Sequence, residues 1–476
     1  MRILLAVTAT TAVACGLAPP ASAAQQSSGP MAGAQIESGL LAGVNEGDVE
    51  AFLGIPYAEP PEGSLRWRPP RSPAPWAGTR AADHFAASCM QRRRSTGPWT
   101  PEYRPVGPLG EDCLAINVWT PARTATERLA VLVWIHGGSF KSGSASTPVY
   151  DGRKLAARGI IVVTLNYRLG VLGFLAHPQL SAESAQRVSG NYGLMDIIAA
   201  LGWVQRNITA FGGDAQRVTL AGQSAGAYAV DLLEASPDAA ALFHQAITES
   251  GSGGRDIRWR SLDEAQIRGA RYLQALGLSS IDALRRVPAS RLYAPDSRGD
   301  AAPDRSFPPI VDGVTIPGEG AAGSAANIAD IAALCGFNAD EHGSLRASMN
   351  RSARLAASKG ARAVLIEWGQ RRSARSSTPL YLYLYDHAEP GADSATWGAF
   401  HGAELPYVFD TLDAAPDRPF VAADREIAER MAGYWVNFVK TGTPNGRGLP
   451  QWPSFDAAAP AVMEIGDRFA ILSSPP

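Results

Sequence analysis

The stretch Arg217-Val-Thr-Leu-Ala-Gly-Gln-Ser-Ala-Gly-Ala227 constrains the fold more than any other part of the chain. Val218 to Ala221 is short, apolar and partly β-branched, the composition of a buried strand. Gly222-Gln-Ser-Ala-Gly226 follows, and Ala225 to Leu233 is rich in Ala and Leu, which favours a helix. A strand that turns this abruptly into a helix needs small residues where the two segments meet. Glycine, lacking Cβ, meets that need on both sides of Ser224. Ser224 then stands at the apex of a strained turn, with the N–H groups of a helix N-terminus behind it. The G-x-S-x-G pattern is weak alone: with 48 Gly in 476 residues, chance supplies it about 0.3 times in such a chain. Its setting between strand and helix carries the information.

Other segments extend this α/β reading. Leu129-Ala-Val-Leu-Val-Trp-Ile135 is a continuous apolar run, as expected of a strand covered on both faces. It ends at His136-Gly-Gly-Ser-Phe140, a glycine turn able to present consecutive N–H donors to an oxyanion. Ile160 to Leu165 predicts another parallel-type strand. Apolar residues at 194, 197, 198, 201, 204 and 208 have helical spacing. Residues 36–57, broken by Gly39, Gly43 and Asn45-Glu-Gly47, predict antiparallel hairpins. A mostly parallel sheet with helices between its strands accommodates all of these.

Composition narrows the function. A net charge of −2, with Arg92-Arg-Arg94 as a short basic cluster in a solvated loop, gives nucleic-acid binding no support. Arg2, an apolar run Ile3 to Leu17 and Pro19-Pro-Ala-Ser-Ala23 form a secretory-signal pattern. We therefore expect residues 1–23 to be removed near Ala23, residues 24–476 to form one domain, and the product to be extracellular. A lipoprotein acylated at Cys15 is the lesser reading, because Ala12-Val-Ala-Cys15 is a poor lipobox. No other stretch is long and apolar enough to span a membrane. In an oxidising compartment Cys89 and Cys113 are the expected disulfide, while Cys335 lies in the apolar run 331–337 and reads as a buried thiol. No C-x-x-C or H-E-x-x-H occurs, so neither a metal nor a cofactor is expected.

A serine hydroxyl needs a base to accept its proton and a third group to orient that base. Of seven histidines, His401 has the most suggestive setting, on a loop between Gly398 and Gly402 after the strand-like run Leu380 to Tyr385. The carboxylate should fall between serine and histidine in chain order. Asp340 and Glu341, just past the run 331–337, both qualify, and the residues alone do not separate them.

Taken together, the motifs resemble the type-B carboxylesterases, a family that includes cholinesterases and the non-enzymatic neuroligins. The pieces span nearly the whole chain after residue 24. They include Phe52-Leu-Gly-Ile-Pro-Tyr-Ala58, Glu111-Asp-Cys-Leu114, Asn166-Tyr-Arg-Leu-Gly170, Phe211-Gly-Gly-Asp214, Glu249-Ser-Gly251, His401-Gly-Ala-Glu404 and Thr441-Gly-Thr-Pro-Asn445. The resemblance implies an α/β-hydrolase fold, with a central mixed, mostly parallel sheet flanked by helices. It implies hydrolysis of small-molecule carboxylic esters through an acyl-enzyme, with Ser224 as nucleophile, His401 as base and acid, and Glu341 rather than Asp340 as the orienting carboxylate. The oxyanion donors would be the N–H groups of Gly138, Ser139 and Ala225, Ser250 would support the triad from behind, and Cys89–Cys113 would be the family's first disulfide.

Several positions depart from the family pattern. Ser139 replaces a frequent glycine, and His342 follows the acid where glycine is usual. Gln223 precedes the nucleophile where cholinesterases carry a glutamate facing the cationic alcohol, so neutral esters are expected over choline esters. Only 60 residues separate Glu341 from His401, fewer than usual, so the pocket's shape is not carried over. The same machinery would serve amides, lactones or polyester fragments. A neuroligin-like binding module is disfavoured because serine, glutamate and histidine are all present.

Overall fold

The computed structural model describes residues 31, 33–92, 97–251, 259–293, 307–318, 329–341 and 351–472. The expected signal segment with Cys15, the arginines at 93 and 94, and His342 lie outside the described residues.

An eleven-stranded sheet organises the molecule. Its strands are β1 (Val44–Asn45), β2 (Glu50–Pro56), β3 (Ala115–Thr120), β4 (Leu129–Ile135), β5 (Ile161–Leu165), β6 (Gly213–Gln223), β7 (Gln245–Glu249), β8 (Ala332–Asn338), β9 (Leu380–Asp386), β10 (Val462–Gly466) and β11 (Phe469–Leu472). Their spatial order is β11-β10-β9-β8-β7-β6-β4-β5-β3-β2-β1. From β10 across to β5 every pairing is parallel; β1, β2, β3 and β11 add antiparallel edges. The sheet is thus mixed and mostly parallel.

Apolar runs become central strands because both sheet faces are covered. Val131, Val133 and Ile135 of β4 enter one core cluster, and Ala130, Leu132 and Trp134 enter another. The two-residue period of a strand sends alternate side chains to opposite faces. The first cluster takes Leu194, Ile197, Leu201 and Val204 from helix α1 (Tyr192–Asn207), together with Val230 and Leu233 from helix α2 (Ala225–Glu234). The opposite cluster takes Met431, Trp435 and Phe438 from helix α3 (Ala422–Thr441). These helices arise where apolar residues recur at helical spacing, and α3 ends at Gly442, whose φ of 76° is the left-handed stop of a helix C-terminus.

Two details differ from the sequence expectation. β6 begins at Gly213, not at Val218, with a register shift against β4 between Gly213 and Val218. Asp214, Gln216 and Arg217 hide this extension by breaking the apolar pattern. The hairpins at 36–57 start earlier, at Gly33. Cys89 and Cys113 are joined, with Cα atoms 5.1 Å apart. Cys335 is a free, buried thiol in β8, pushed up to about 12 by burial.

Candidate active site

The β6–α2 junction forms the predicted elbow. Ser224 is the N-cap of α2, with φ 55° and ψ −121°, a strained region costing about 1–3 kcal/mol for a residue with a side chain. The surrounding backbone holds it there. Ser224 N–H donates to the Glu249 carbonyl at 2.8 Å, and its own carbonyl accepts from Tyr228 N–H at 3.0 Å. The flanking glycines are needed for close approach: a Cβ on Gly226 would come within 2.0 Å of the Ile135 carbonyl oxygen, and one on Gly222 within 2.5 Å of Gly226.

β4 delivers the second component. After Ile135 the chain turns through Gly138 (φ 112°) and Ser139 (φ 57°). His136 holds this turn from inside. It is buried, its Nδ1 lies 2.8 Å from the Gly137 carbonyl, and its ring stacks on Tyr167 with centroids 4.5 Å apart. Burial lowers its pKa to about 4, so it is neutral at physiological pH. The N–H groups of Gly138, Ser139 and Ala225 have no acceptor among the described contacts, and Gly138, Ser139 and Ser224 line one cavity.

β8 and the loop after β9 bring Glu341 and His401 together. Glu341 Oε2 lies 2.5 Å from His401 Nδ1. Glu341 Oε1 accepts the Asn338 backbone N–H at 2.8 Å and also the Ser250 hydroxyl. Burial, the largest single influence on Glu341, favours its neutral form. The His401 charge, with hydrogen bonds from His401, Asn338 and Ser250, outweighs burial and lowers its pKa. Burial likewise opposes the imidazolium of His401, but the charge and hydrogen bond of Glu341 prevail and raise its pKa above 6.5. Asp340, the rival carboxylate, instead accepts the Ala399 N–H at 3.1 Å and pins the histidine loop.

Two contacts were not legible in the sequence. Gln223 Nε2 lies 3.3 Å from His401 Nε2, and Ser224 Oγ is not hydrogen-bonded to that nitrogen. Trp99 donates its indole N–H to the His401 carbonyl at 3.2 Å, placing its ring in the cavity wall. The cavity measures about 640 Å³ and collects Ser224, Glu341, His401, Gln223 and Ser250 on one surface. Among the described residues none between 342 and 400 lines it, which fits the short Glu341–His401 segment.

A buried pair of carboxyls, Glu249 and Glu404, adjoins Glu341. Glu249 Oε1 accepts the Trp435 indole N–H at 2.7 Å, and Glu404 Oε2 accepts from the Asn338 amide. Their remaining oxygens, Glu249 Oε2 and Glu404 Oε1, are buried without a protein partner. Both are pushed up to about 8, Glu249 by burial and Glu404 by burial together with the negative charges of Glu249 and Glu341. At neutral pH the pair therefore retains a proton. Among the described residues no group of His, Cys, Asp and Glu has the arrangement of a metal site, and no helix is long and apolar enough to cross a membrane.

Known proteins with this architecture share its chemistry. The chain matches the carboxylesterase family over residues 28–370 and 362–473. It is 37% identical to fumonisin B1 esterase of Sphingopyxis macrogoltabida, over 94% of this chain and 88% of that one. It is 33% identical to phenmedipham hydrolase of Pseudarthrobacter oxydans, over 92% and 95%. A solved PNB esterase matches with a TM-score of 0.77 at 30% identity, covering 93% of this chain and 97% of that one. The mixed sheet flanked by helices is the α/β-hydrolase fold, and with sequence, fold and relatives in agreement the chain belongs to the carboxylesterase family and is a carboxylic ester hydrolase.

Proposed function

We propose that Ser224, His401 and Glu341 carry out ester hydrolysis through an acyl-enzyme. The observation that carries this is the 2.5 Å contact between Glu341 Oε2 and His401 Nδ1, in a cavity that also holds the strained Ser224. Glu341 keeps the proton on Nδ1, so Nε2 presents a lone pair. The Gln223 amide occupies that lone pair only loosely at 3.3 Å, so the Ser224 hydroxyl displaces it as substrate binds; catalytic hydrogen bonds are commonly long in an empty site.

Ser224 Oγ then attacks the ester carbonyl while its proton passes to His401 Nε2. The negative charge moves to the carbonyl oxygen, where the N–H groups of Gly138, Ser139 and Ala225 meet it; such preorganised donors are usually the largest catalytic contribution. The intermediate collapses by expelling the alkoxide, which takes the proton from Nε2. Water repeats the sequence on the acyl-enzyme and releases the acid. Ser250 and Asn338 hold Glu341 in place throughout.

Neutral esters should be preferred over choline esters. Gln223 is an amide and offers a cation only a dipole. The face of Trp99 would attract a cation by about 0.5–2 kcal/mol, whereas a carboxylate about 5 Å away would contribute up to roughly 3 kcal/mol at an effective dielectric near 20. The protein is further proposed to act outside the cell, a reading supported by the Cys89–Cys113 bridge. To test the catalytic reading, the enzyme would be incubated with a p-nitrophenyl ester and then with an organophosphonate. We expect turnover, followed by inactivation with one phosphonyl group on Ser224 by mass spectrometry. Labelling at another residue would overturn the assignment.

A further inference from the structure

Among the described residues, the cavity wall carries an arginine with no carboxylate partner. Arg104 lines the cavity beside Trp99 and Tyr103. Its Nε and one terminal nitrogen donate to the Trp99 carbonyl at 3.1 and 2.9 Å. No carboxylate lies within ion-pair distance of it among the described residues. A guanidinium has five N–H donors, so Nη1 and one further N–H stay unassigned. The other charged groups on the cavity surface are Glu341 and His401, which are committed to each other.

Arg104 is also held rigidly. The turn Pro101–Tyr103 is closed by Tyr103 N–H to the Thr100 carbonyl and Arg104 N–H to the Pro101 carbonyl, both at 3.0 Å. Beneath it, Arg418 binds Glu102 and Glu389, each at 2.9 Å, and the Tyr103 hydroxyl donates to Glu389. Arg418 is thereby neutralised within the protein while Arg104, on the same segment, is not. A guanidinium fixed in place binds a planar carboxylate with little further ordering cost.

We propose that Arg104 is a specificity residue that binds a carboxylate on the alcohol portion of the substrate, so that the preferred esters are those of hydroxy acids or similar anionic alcohols. The alcohol side follows from the mechanism. His401 returns its proton to the leaving oxygen, so the alcohol departs along the wall next to His401. That wall is Trp99, bonded to the His401 carbonyl, and Arg104 is bonded in turn to the Trp99 carbonyl. The proposal rests on the catalytic reading above and adds the substrate class.

The test compares kcat/KM for 4-carboxyphenyl butyrate and its neutral counterpart 4-acetylphenyl butyrate, with mono-4-nitrophenyl glutarate against 4-nitrophenyl butyrate as the acyl-side pair. The wild-type enzyme should favour 4-carboxyphenyl butyrate over its neutral counterpart, and rising salt should erode that preference. In Arg104→Gln the carboxylate-to-neutral ratio should fall about tenfold or more, the scale of a charge-assisted hydrogen bond in a cavity, and Arg104→Lys should restore part of it. An unchanged ratio in Arg104→Gln would overturn the proposal, and so would a change confined to the acyl-side pair. Failure of the catalytic reading would look different, because turnover of all four esters would then survive the loss of the Ser224 hydroxyl.

Discussion

The side-chain nitrogen of Gln223 lies 3.3 Å from Nε2 of His401, so the residue preceding the nucleophile touches the base as well as the cavity. Gln223→Glu would put a negative charge against that nitrogen and favour the imidazolium. The acid limb of kcat/KM should then move upward by about one pH unit, and the butyrylcholine to 3,3-dimethylbutyl butyrate ratio should rise. If the pH profile of Gln223→Glu superimposes on that of the wild type, the amide is not where the structure puts it.

In the proposed mechanism Ser224 and His401 serve a single proton transfer, so their losses should not add. Ser224→Ala is expected to lower kcat by roughly 10⁴- to 10⁶-fold with the fold retained, and the double change with His401→Ala should cost little more. Steady-state kinetics with circular dichroism as a folding control would decide this. Additive losses would mean that the two act in separate steps.

The raised pKa of His401 fixes the direction of the pH dependence. In the proposed mechanism the neutral imidazole is the base, so activity should fall as pH drops through the raised pKa of His401. Glu341→Gln removes the charge that raises it and leaves burial, which lowers it. The acid limb should therefore move to lower pH even as the rate drops by roughly 10³- to 10⁴-fold. A profile that stays flat to about pH 4.5, where an ordinary histidine is fully protonated, would contradict a histidine base.

Glu249 and Glu404 make a separate prediction about stability. Their pKa values are raised from 4.5 to about 8, so the folded state holds more protons than the unfolded chain between those values. Stability from this source is full below about pH 4.5 and is lost as pH rises towards 8. Glu404→Gln keeps an oxygen for the Asn338 amide but removes one ionisable group. Its Tm should fall less than that of the wild type between about pH 6 and 9. Parallel Tm curves would show that the pair does not titrate in this window.

How far the sequence could be read depended on the range of each interaction. β4, β8 and β9 stood out as apolar runs because each is covered on both faces, a condition that leaves its mark within seven residues. The elbow was visible because Gly222 and Gly226 answer a local steric demand. The polar start of β6 was hidden, since Asp214 to Arg217 fall within the register shift between Gly213 and Val218 and show no apolar alternation. The residues alone left Glu341 and Asp340 undistinguished and the family resemblance favoured Glu341; the folded loop puts Glu341 on the His401 ring and Asp340 on the Ala399 backbone N–H. The Trp99–His401 contact joins positions 302 residues apart, and nothing in the local sequence of either reports it. The local sequence does not mark Arg104 either: an arginine in a proline-rich loop is ordinary until the fold builds a cavity around it.

The disulfide has a further consequence. Gln91, Trp99, Tyr103, Arg104, Pro105 and Leu109 all line the cavity, and all fall within the ring closed by Cys89 and Cys113. Ser224, Glu341, His401 and the turn through Gly138 and Ser139 all lie outside it. One covalently closed ring thus supplies a large share of the cavity wall and is tied to the rest of the protein by Trp99 to His401, Gln91 to Gly143 and Glu102 to Arg418.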